Sequence, residues 1–326
     1  MTPNSLAARR RLLLAALAAA PFPRIASAQA TRPIRLVVPF TPGGSTDILA
    51  RAIAPKLGQG METTVVVDNR PGAGGSIGAT EVAKAEPDGF TLLMGHIGTL
   101  AVNPSLYPKL GYDPLKSFVP VAWVARVPNV LVVSAASGPR SFDEFVARAR
   151  ARPGQMSYSS GGNGSAAHIA FESLKLATKI FMTHIPYRGT APSVTDLIAG
   201  QVDATFTGSP AVLPHVKSGR LRALAVSSTH RIAALPEVPT VAELGYPGFE
   251  ADQWYGVVAP AGTPADRIAR LNAVINRALA SPEVQTALSA EGAVPVNETP
   301  QAFGALIARE IPRWREVVRA GNVKAD

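Results

Sequence analysis

The stretch that decides the fold is IRLVVPFTPGGSTD, residues 34–47. Its first half is an apolar strand pattern, its second half is a turn of glycine and hydroxyl residues, and an amphipathic helix pattern follows. Such a unit directs the unbonded N–H groups of the first helical turn, and the positive end of the helix dipole, toward one point. The stretch therefore predicts an α/β unit whose turn can hold a small anion without a lysine or arginine.

A second stretch of the same construction is MSYSSGGNGS, residues 156–165. A short strand pattern again runs into glycine and serine residues, and a helix pattern with His168 in its first turn follows. Two such turns on separate halves of one chain predict two lobes that close on a carboxylate from both sides.

Strand and helix patterns alternate along most of the chain, which is typical of α/β folds with parallel sheets. Because 326 residues exceed one typical domain, we expect two lobes. Two apolar runs, 119–125 and 130–133, indicate where the chain first crosses between the lobes, and prolines near 228–239 indicate the return. The predicted boundaries are residues 29–128 and 229–326 for lobe 1 and residues 129–228 for lobe 2. Two connections form a hinge, and a ligand would lie in the cleft between the lobes.

Residues 1–28 carry the pattern of a secretory signal peptide. Three arginines at 9–11 precede an unbroken apolar run at 12–20, two prolines follow, and Ala26-Ser27-Ala28 supplies the small residues of a cleavage site. The apolar run is too short to span a bilayer, which needs about 20 residues. We predict export to the periplasm with cleavage near Ala28, by the general or the twin-arginine route.

Composition excludes several classes of function. Cleavage would remove four arginines and no acids, so the formal charge falls from +9 to +5, and it is spread along the chain without a basic block. A nucleic-acid partner is therefore not expected. The chain has no cysteine, and its five histidines lack metal-ligand spacing, so neither a disulfide, a metal nor another cofactor is predicted.

A glycine-rich segment at 72–78 resembles two motifs. As a dinucleotide fingerprint it fails, since its third glycine comes one residue late. Residues 74–78 fit G-x-S-x-G, with Ser76 as the nucleophile and Asp203 and His215 or His230 as partners. A nucleophile elbow needs its serine directly after a strand, whereas the strand pattern here ends near Asn69. A serine hydrolase is kept as an alternative hypothesis.

Several side chains have both a structural and a ligand-binding interpretation. Asp47 either stabilises the first turn of its helix or pairs with a ligand ammonium group. His96 and His168 either line the cleft or pack, and Tyr187 and Trp254 either wall the cleft or fill the core. Arg188, which follows a strand pattern, could pair with an anionic ligand or remain an exposed surface residue.

Seven segments together resemble the Bordetella uptake gene (Bug) family, the periplasmic solute receptors of tripartite tricarboxylate transporters. They are PFTPGGSTD at 39–47, VDNRPGAGG at 67–75, NPSLY at 103–107, YSSGGNGS at 158–165 with His168, IPYRG at 185–189, PTVAE at 239–243 and WYGVVAP at 254–260. The resemblance covers essentially the whole chain after residue 28. It implies a type II periplasmic binding protein fold, with two α/β lobes around a central cleft, and a small carboxylated ligand such as a di- or tricarboxylate, an amino acid or an aromatic acid.

The resemblance places the carboxylate loops on Gly43, Gly44 and Ser45 and on Ser159, Gly162, Gly164 and Ser165. The other predicted ligand-binding residues are Phe40, Asp47, His96, His168, Tyr187, Thr207 and Trp254. Relatives usually carry a histidine after the threonine equivalent to Thr99, but here Leu100 follows, which predicts a more apolar wall. Specificity is expected from Phe40, His96, Leu100, Phe206 and Trp254.

The sequence thus predicts a monomeric solute receptor, not an enzyme, with the membrane subunits of a tripartite tricarboxylate transporter as its partners. An alternative with the same fold and site is a free-standing sensor that presents its ligand to a signalling protein.

Overall fold

The computed structural model describes residues 32–290 and 292–325. The predicted signal peptide lies outside these residues. The described chain forms eleven strands: β1 Ile34–Val38, β2 Val65–Asn69, β3 Thr91–His96, β4 Phe118–Val127, β5 Asn129–Ser134, β6 Ser157–Ser160, β7 Thr183–Pro186, β8 Ala204–Gly208, β9 Leu221–Val226, β10 Gln253–Pro260 and β11 Val294–Pro295.

Ten α-helices alternate with the strands in the described residues. They are α1 Ser45–Met61, α2 Ser76–Ala83, α3 Asn103–Leu106, α4 Phe142–Ala151, α5 Ala166–Thr178, α6 Thr190–Ile198, α7 Ser209–Lys217, α8 Ala265–Ala280, α9 Pro282–Ala290 and α10 Pro300–Ala320. A 3₁₀ turn, Ala73–Gly75, precedes α2, and a π-helical turn, Gly98–Val102, precedes α3. None of these helices is long and apolar enough to cross a membrane.

The strands form two sheets, and the five strands of the second are arranged like the five strands β4-β10-β3-β1-β2 of the first. The first sheet runs β11-β4-β10-β3-β1-β2 and the second runs β7-β6-β8-β5-β9. In each, three parallel strands (β2, β1, β3 and β7, β6, β8) are joined to a strand of opposite direction, β10 or β5. Each sheet with its helices forms one lobe, so the predicted two-lobe α/β fold is confirmed. Because the carboxyl ends of the parallel strands carry the glycine turns, both lobes present those turns at the cleft.

The lobes are joined by two crossing segments. One is the step from β4 to β5 through Pro128, and the other runs from β9 to β10. The side chain of Asn129 ties them together: its Nδ2 donates to Ala251 O at 2.6 Å and its Oδ1 accepts from Gln253 Nε2. The Asn129 amide also donates to Ser227 Oγ at 2.8 Å. The hinge is therefore a hydrogen-bonded pair of extended segments.

The exact lobe boundaries stay a prediction. Near the predicted return at residue 229, Ile232, Leu235 and Val238 pack in one apolar cluster with Val130 and Val132 of β5. These residues thus belong to the core beneath the second sheet, before the chain reaches β10.

The C-terminal helix α10 packs across the first lobe and also against α5 of the second. Its buried Glu310 accepts hydrogen bonds from Trp254 Nε1 at 3.2 Å and from Trp314 Nε1 at 2.7 Å. A buried carboxylate needs such donors, because burial without partners is costly. The helix is thus anchored to β10 beside the hinge.

Prolines stand at the start of α8 and inside α10. Pro264 takes the cap position of α8 without a side-chain bond, and the Thr263 hydroxyl donates to Pro260 O at 2.7 Å. Helix α10 continues through Pro312. Pro312 and Ala308, whose carbonyl loses its partner, are both exposed, so water can satisfy that carbonyl.

Candidate functional site

The predicted carboxylate loop of lobe 1, residues 43–45, lies directly against the start of α6 in lobe 2. A Cβ added to Gly44 would lie 3.5 Å from Thr190 Cβ, and one added to Gly43 would lie 3.6 Å from Ala191 Cβ. A Cβ on Gly189 would lie 1.8 Å from Thr41 Oγ1, a distance too short for any side chain at position 189 unless Thr41 moves. The glycines at 43, 44 and 189 therefore allow the two lobes to meet at this rim of the cleft.

A second contact between the lobes is formed by the loop at residues 161–165 of lobe 2. A Cβ on Gly74 would lie 2.4 Å from Asn163 O, and one on Gly98 would lie 2.7 Å from Gly164 O. The Tyr107 hydroxyl donates to Asn163 O at 3.4 Å. Because the two lobes touch at both of these places, the structure has the closed arrangement of the lobes.

A cavity of about 510 Å³ lies between these contacts. Its lining comes from both lobes: Phe40, Pro71, Gly72, Ala73, Gly74, Gly75 and Ile77 from the first, and Gly161, Gly162, Pro186, Tyr187 and Arg188 from the second. Its volume is in the range of small-molecule sites. Most of this lining is glycine and proline, so backbone groups form much of the wall.

Four helices begin near residues of this lining, although the predicted ligand residues Gly43, Gly44, Ser45, Ser159, Gly164 and Ser165 are not themselves part of it. Helices α1 and α2 follow Gly44 and Gly75 in lobe 1, and α5 and α6 follow the Gly161–Ser165 segment and Gly189 in lobe 2. Each helix start carries about half a positive charge. The amides of Gly44, Ser45 and Thr46 donate to no acceptor in the described part of the chain. The arrangement can thus bind an anion through backbone donors and helix dipoles.

Asp47 holds the first loop in shape. Its carboxylate accepts from the Gly43 amide, Arg51 Nε and Asn69 Nδ2, each at 3.0 Å, and its side chain is 5% exposed. Burial raises the pKa of Asp47, but the hydrogen bonds from these three groups outweigh it and hold the pKa below its usual range. With these donors around it, Asp47 acts as an internal brace of the loop.

The second loop is braced by hydroxyl groups. Ser165 is the N-cap of α5 and accepts the His168 amide at 3.3 Å. Ser160 Oγ donates to Gly162 O and accepts the Gly162 amide, both at 3.1 Å. The predicted ligand residue Ser159 directs its hydroxyl to Ser193 of α6, with Oγ–Oγ at 3.3 Å. The side chain of Ser159 therefore connects strand β6 to α6.

Two neutral histidines contact this loop and hold its backbone in place. His168 Nδ1 accepts the Gly164 amide at 3.2 Å, which leaves the proton on Nε2, 3.9 Å from Glu172 Oε1. The ring of His184 stacks on His168 at 3.8 Å, and its Nε2 lies 2.6 Å from Ser160 Oγ. Burial lowers the pKa of His168 far below its ordinary value and that of His184 to about 4. Both rings are uncharged at neutral pH.

These depressed pKa values predict a loss of stability in acid. The unfolded chain takes up a proton on each histidine near pH 6.5, whereas the folded chain does not, so lowering the pH favours unfolding. Each such histidine should lower the free energy of unfolding by about 1.4 kcal/mol per pH unit until its folded pKa is reached. Urea unfolding of the wild type and of His184→Gln between pH 7 and pH 4.5 should give a shallower pH slope for the variant. Equal slopes would contradict the assignment.

His96 is buried between two aromatic rings and is not part of the cavity lining, although Phe40 beside it is. Its ring centroid is 4.6 Å from that of Phe40 and 5.8 Å from that of Tyr255. Its Nδ1 accepts the Thr99 amide at 3.2 Å, so Nε2 carries the proton as a donor. Burial lowers the pKa of His96 to about 3. A neutral donor beside aromatic rings suits a ligand oxygen.

Other predicted residues have partners away from the cavity wall. The Tyr187 ring lines the cavity, while its hydroxyl donates to Asp196 Oδ2 at 2.7 Å. Trp254 packs edge-on against Phe303 at 5.9 Å and bonds Glu310, so its contacts are those of a core residue. Thr207 is buried at the end of β8, opposite Val130 of β5.

Two specificity candidates are likewise buried. The Leu100 side chain packs on Gly95 of β3, and a Cβ there would lie 2.5 Å from Leu100 Cδ1. Phe206 stacks with Phe249 at 6.2 Å. Neither belongs to the cavity lining given above.

Sequence reasoning missed one side of the cavity. Residues 71–75 and Ile77 form much of the wall, but the sequence predicts no ligand-binding role for them. A signal was present, because this glycine segment follows β2, which is parallel to β1 and so ends at the same sheet edge. Thr190, which contacts Gly44 across the cleft, gave no comparable signal.

A family model described as "Tripartite tricarboxylate transporter family receptor" (TctC) matches residues 49–323. The chain belongs to this family. Protein BugT of Bordetella pertussis is 46% identical over 294 residues, covering 90% of each protein. TctC members are periplasmic solute-binding receptors, and so is this chain; it is not an enzyme.

Two similar solved structures carry ligands. One, an R. palustris protein with adipate, is 38% identical with a TM-score of 0.87, covering 91% of this chain and 99% of that one. The other, MatC from Rhodopseudomonas palustris with bound malate, is 35% identical with a TM-score of 0.84, covering 88% and 99%.

The hydrolase hypothesis also lacks a catalytic geometry. Ser76 begins α2, and its Oγ accepts from Asn103 Nδ2 at 3.0 Å. Asp203, the proposed acid, accepts the Ser157 amide at 2.7 Å. The G-x-S-x-G match is thus part of the glycine wall of the cleft.

Proposed function

We propose that this receptor captures a small carboxylated solute between its two lobes and delivers it to the membrane subunits of a tripartite tricarboxylate transporter. The observation that carries the proposal is a cavity lined by both lobes, with Gly75 directly before α2 and Gly161 and Gly162 in the segment before α5 on its wall. A carboxylate accepts hydrogen bonds only, and this cavity is rich in backbone donors.

The adipate and malate of the two similar structures are both dicarboxylates, which supports a dicarboxylate as the solute. The partner part of the proposal is supported by the family description. Export with cleavage near Ala28 remains part of the proposal.

Binding of the ligand would be coupled to closure of the two lobes. The ligand anion would bridge amides at the start of α1 and α5, which belong to different lobes. Hydrogen bonds to charged groups are worth about 1.5–3 kcal/mol each. Since the bridge exists only when the lobes meet, the ligand would stabilise the closed form that a membrane partner could recognise.

A thermal-shift series tests the proposed function. Ligand at about one hundred times its Kd stabilises the folded state by about 2.7 kcal/mol, which raises the melting temperature by several degrees. We expect such a shift with adipate or malate and none with 1,6-hexanediol, the matched uncharged chain. No shift with any of a panel of mono-, di- and tricarboxylates at millimolar concentration would contradict the proposal.

A further inference from the structure

Arg188 is an unusual residue of the cavity. It follows β7, its side chain is exposed, and it forms no hydrogen bond or ion pair with any residue in 32–290 or 292–325. Most other arginines near the cleft are engaged, as Arg51 is with Asp47 and Arg70 with Asp68. An arginine without a partner at the mouth of an anion-binding cavity is available to the ligand.

The remaining lining holds no second charge. Within the described chain, Arg188 is the one charged side chain on the cavity wall, which otherwise consists of glycine, proline, alanine, Phe40, Ile77 and Tyr187. The nearby carboxylates have other partners, since Asp47 braces the first loop and Asp196 accepts the Tyr187 hydroxyl. The cavity therefore offers cationic and apolar groups but no free carboxylate.

This charge pattern decides which acids fit. A ligand ammonium group would lose water and meet Arg188 and the nearby positive helix ends, with no carboxylate on the cavity wall to pair with. A second carboxylate, by contrast, could form a two-pronged hydrogen-bonded pair with the guanidinium. The site should thus select acids that carry two negative groups and no positive one.

Ser45 and Ser165, at the starts of α1 and α5, are each 4% exposed, whereas Arg188 is exposed. The cavity wall also carries the apolar side chains of Phe40, Pro71 and Ile77. An acid that pairs with Arg188 while its other carboxylate reaches the loop amides would lie along this wall, which fits an apolar chain between the two carboxylates.

We propose that Arg188 is a specificity-determining residue that binds the distal carboxylate of an extended, non-aminated dicarboxylate. The proximal carboxylate lies on the loop amides, the apolar body lies against Phe40 and Ile77, and amino acids are excluded. This inference rests on the proposed function, because it assigns the second end of the same ligand.

Calorimetric titration with four acids of one chain length tests the inference. They are adipate, hexanoate with one carboxylate, 2-hydroxyadipate and 2-aminoadipate. For the wild type we expect adipate to bind at least about tenfold more tightly than hexanoate. The hydroxy acid should bind within about threefold of adipate and the amino acid at least about tenfold more weakly.

The variant Arg188→Ala should remove the preference for adipate over hexanoate while hexanoate affinity stays unchanged. Arg309→Ala, which removes an exposed arginine from α10, is the charge-matched control and should leave all four affinities as in the wild type. Equal weakening of adipate and hexanoate in Arg188→Ala, or tight binding of 2-aminoadipate, would overturn the inference alone. Absence of binding by every acid in the wild type would overturn the proposed function itself.

Discussion

The variant Gly44→Leu should lose ligand-driven closure and bind its acid at least about a hundredfold more weakly, a loss of about 2.7 kcal/mol. Gly44 has φ −86° and ψ 167°, an extended conformation that any residue adopts. Its hydrogen faces Thr190 of the other lobe, where a Cβ would already be in contact at 3.5 Å. A longer side chain must therefore occupy the space of Thr190 and hold the lobes apart.

Gly44→Ala is the matched control, because its single methyl group fits the 3.5 Å contact. Both variants lose a favourable helix N-cap residue, so each should be destabilised by a similar amount, about 0.5–1 kcal/mol. Titration calorimetry gives the affinities, and small-angle scattering with and without adipate reports closure. Wild-type affinity in Gly44→Leu would show that this rim does not close on the ligand.

The order of strands within each lobe could be predicted only in part. The runs that became β1, β2 and β3 are apolar, β-branched and separated by helix patterns, which local sequence reveals. The insertion of β10 between β3 and β4 has no local signal, because it pairs residues far apart in the chain.

That residues 43–45 and 162–165 lie at the starts of α1 and α5 could be predicted, because glycine and serine before a helix have a direct physical consequence for backbone N–H groups; their role in binding a carboxylate stays a prediction. The roles of single side chains could not be predicted. Ser159 bonds Ser193, and Trp254 bonds Glu310, and each partner comes from an element distant in sequence. A polar side chain near such a loop can form its hydrogen bond with another protein group, and the local sequence does not show which group that is.

The ligand loop and the hinge are physically connected. Burial raises the pKa of the Tyr255 hydroxyl, while hydrogen bonding with the hydroxyls of Ser45 and Thr46 opposes that shift. The same hydroxyl donates to Gln253, whose amide donates to Asn129 of the hinge. The start of α1 and the hinge are therefore linked through buried polar side chains.

Asp47→Ala should both destabilise the protein and weaken acid binding, since it removes the acceptor of the Gly43 amide and one acceptor each of Asn69 and Arg51. Because Arg51 is half-exposed, the main cost is the lost hydrogen bonding, about 1–3 kcal/mol of folding stability. Because the loop amides would no longer be held in place, we expect affinity for adipate to fall at least about tenfold. Urea unfolding and calorimetry measure the two effects.

The control is Asp143→Ala, which removes an exposed acid from the first turn of α4. It should cost only the dipole interaction, about 0.3–1 kcal/mol. The stabilisation by Asp47 should be complete above pH 3.8, its unfolded value, and disappear as the pH falls through its lower folded pKa. If Asp47 were instead the partner of a ligand ammonium group, Asp47→Asn would weaken only 2-aminoadipate and leave adipate binding intact. The three protein donors around the carboxylate are the reason to expect the opposite, a common loss for every acid.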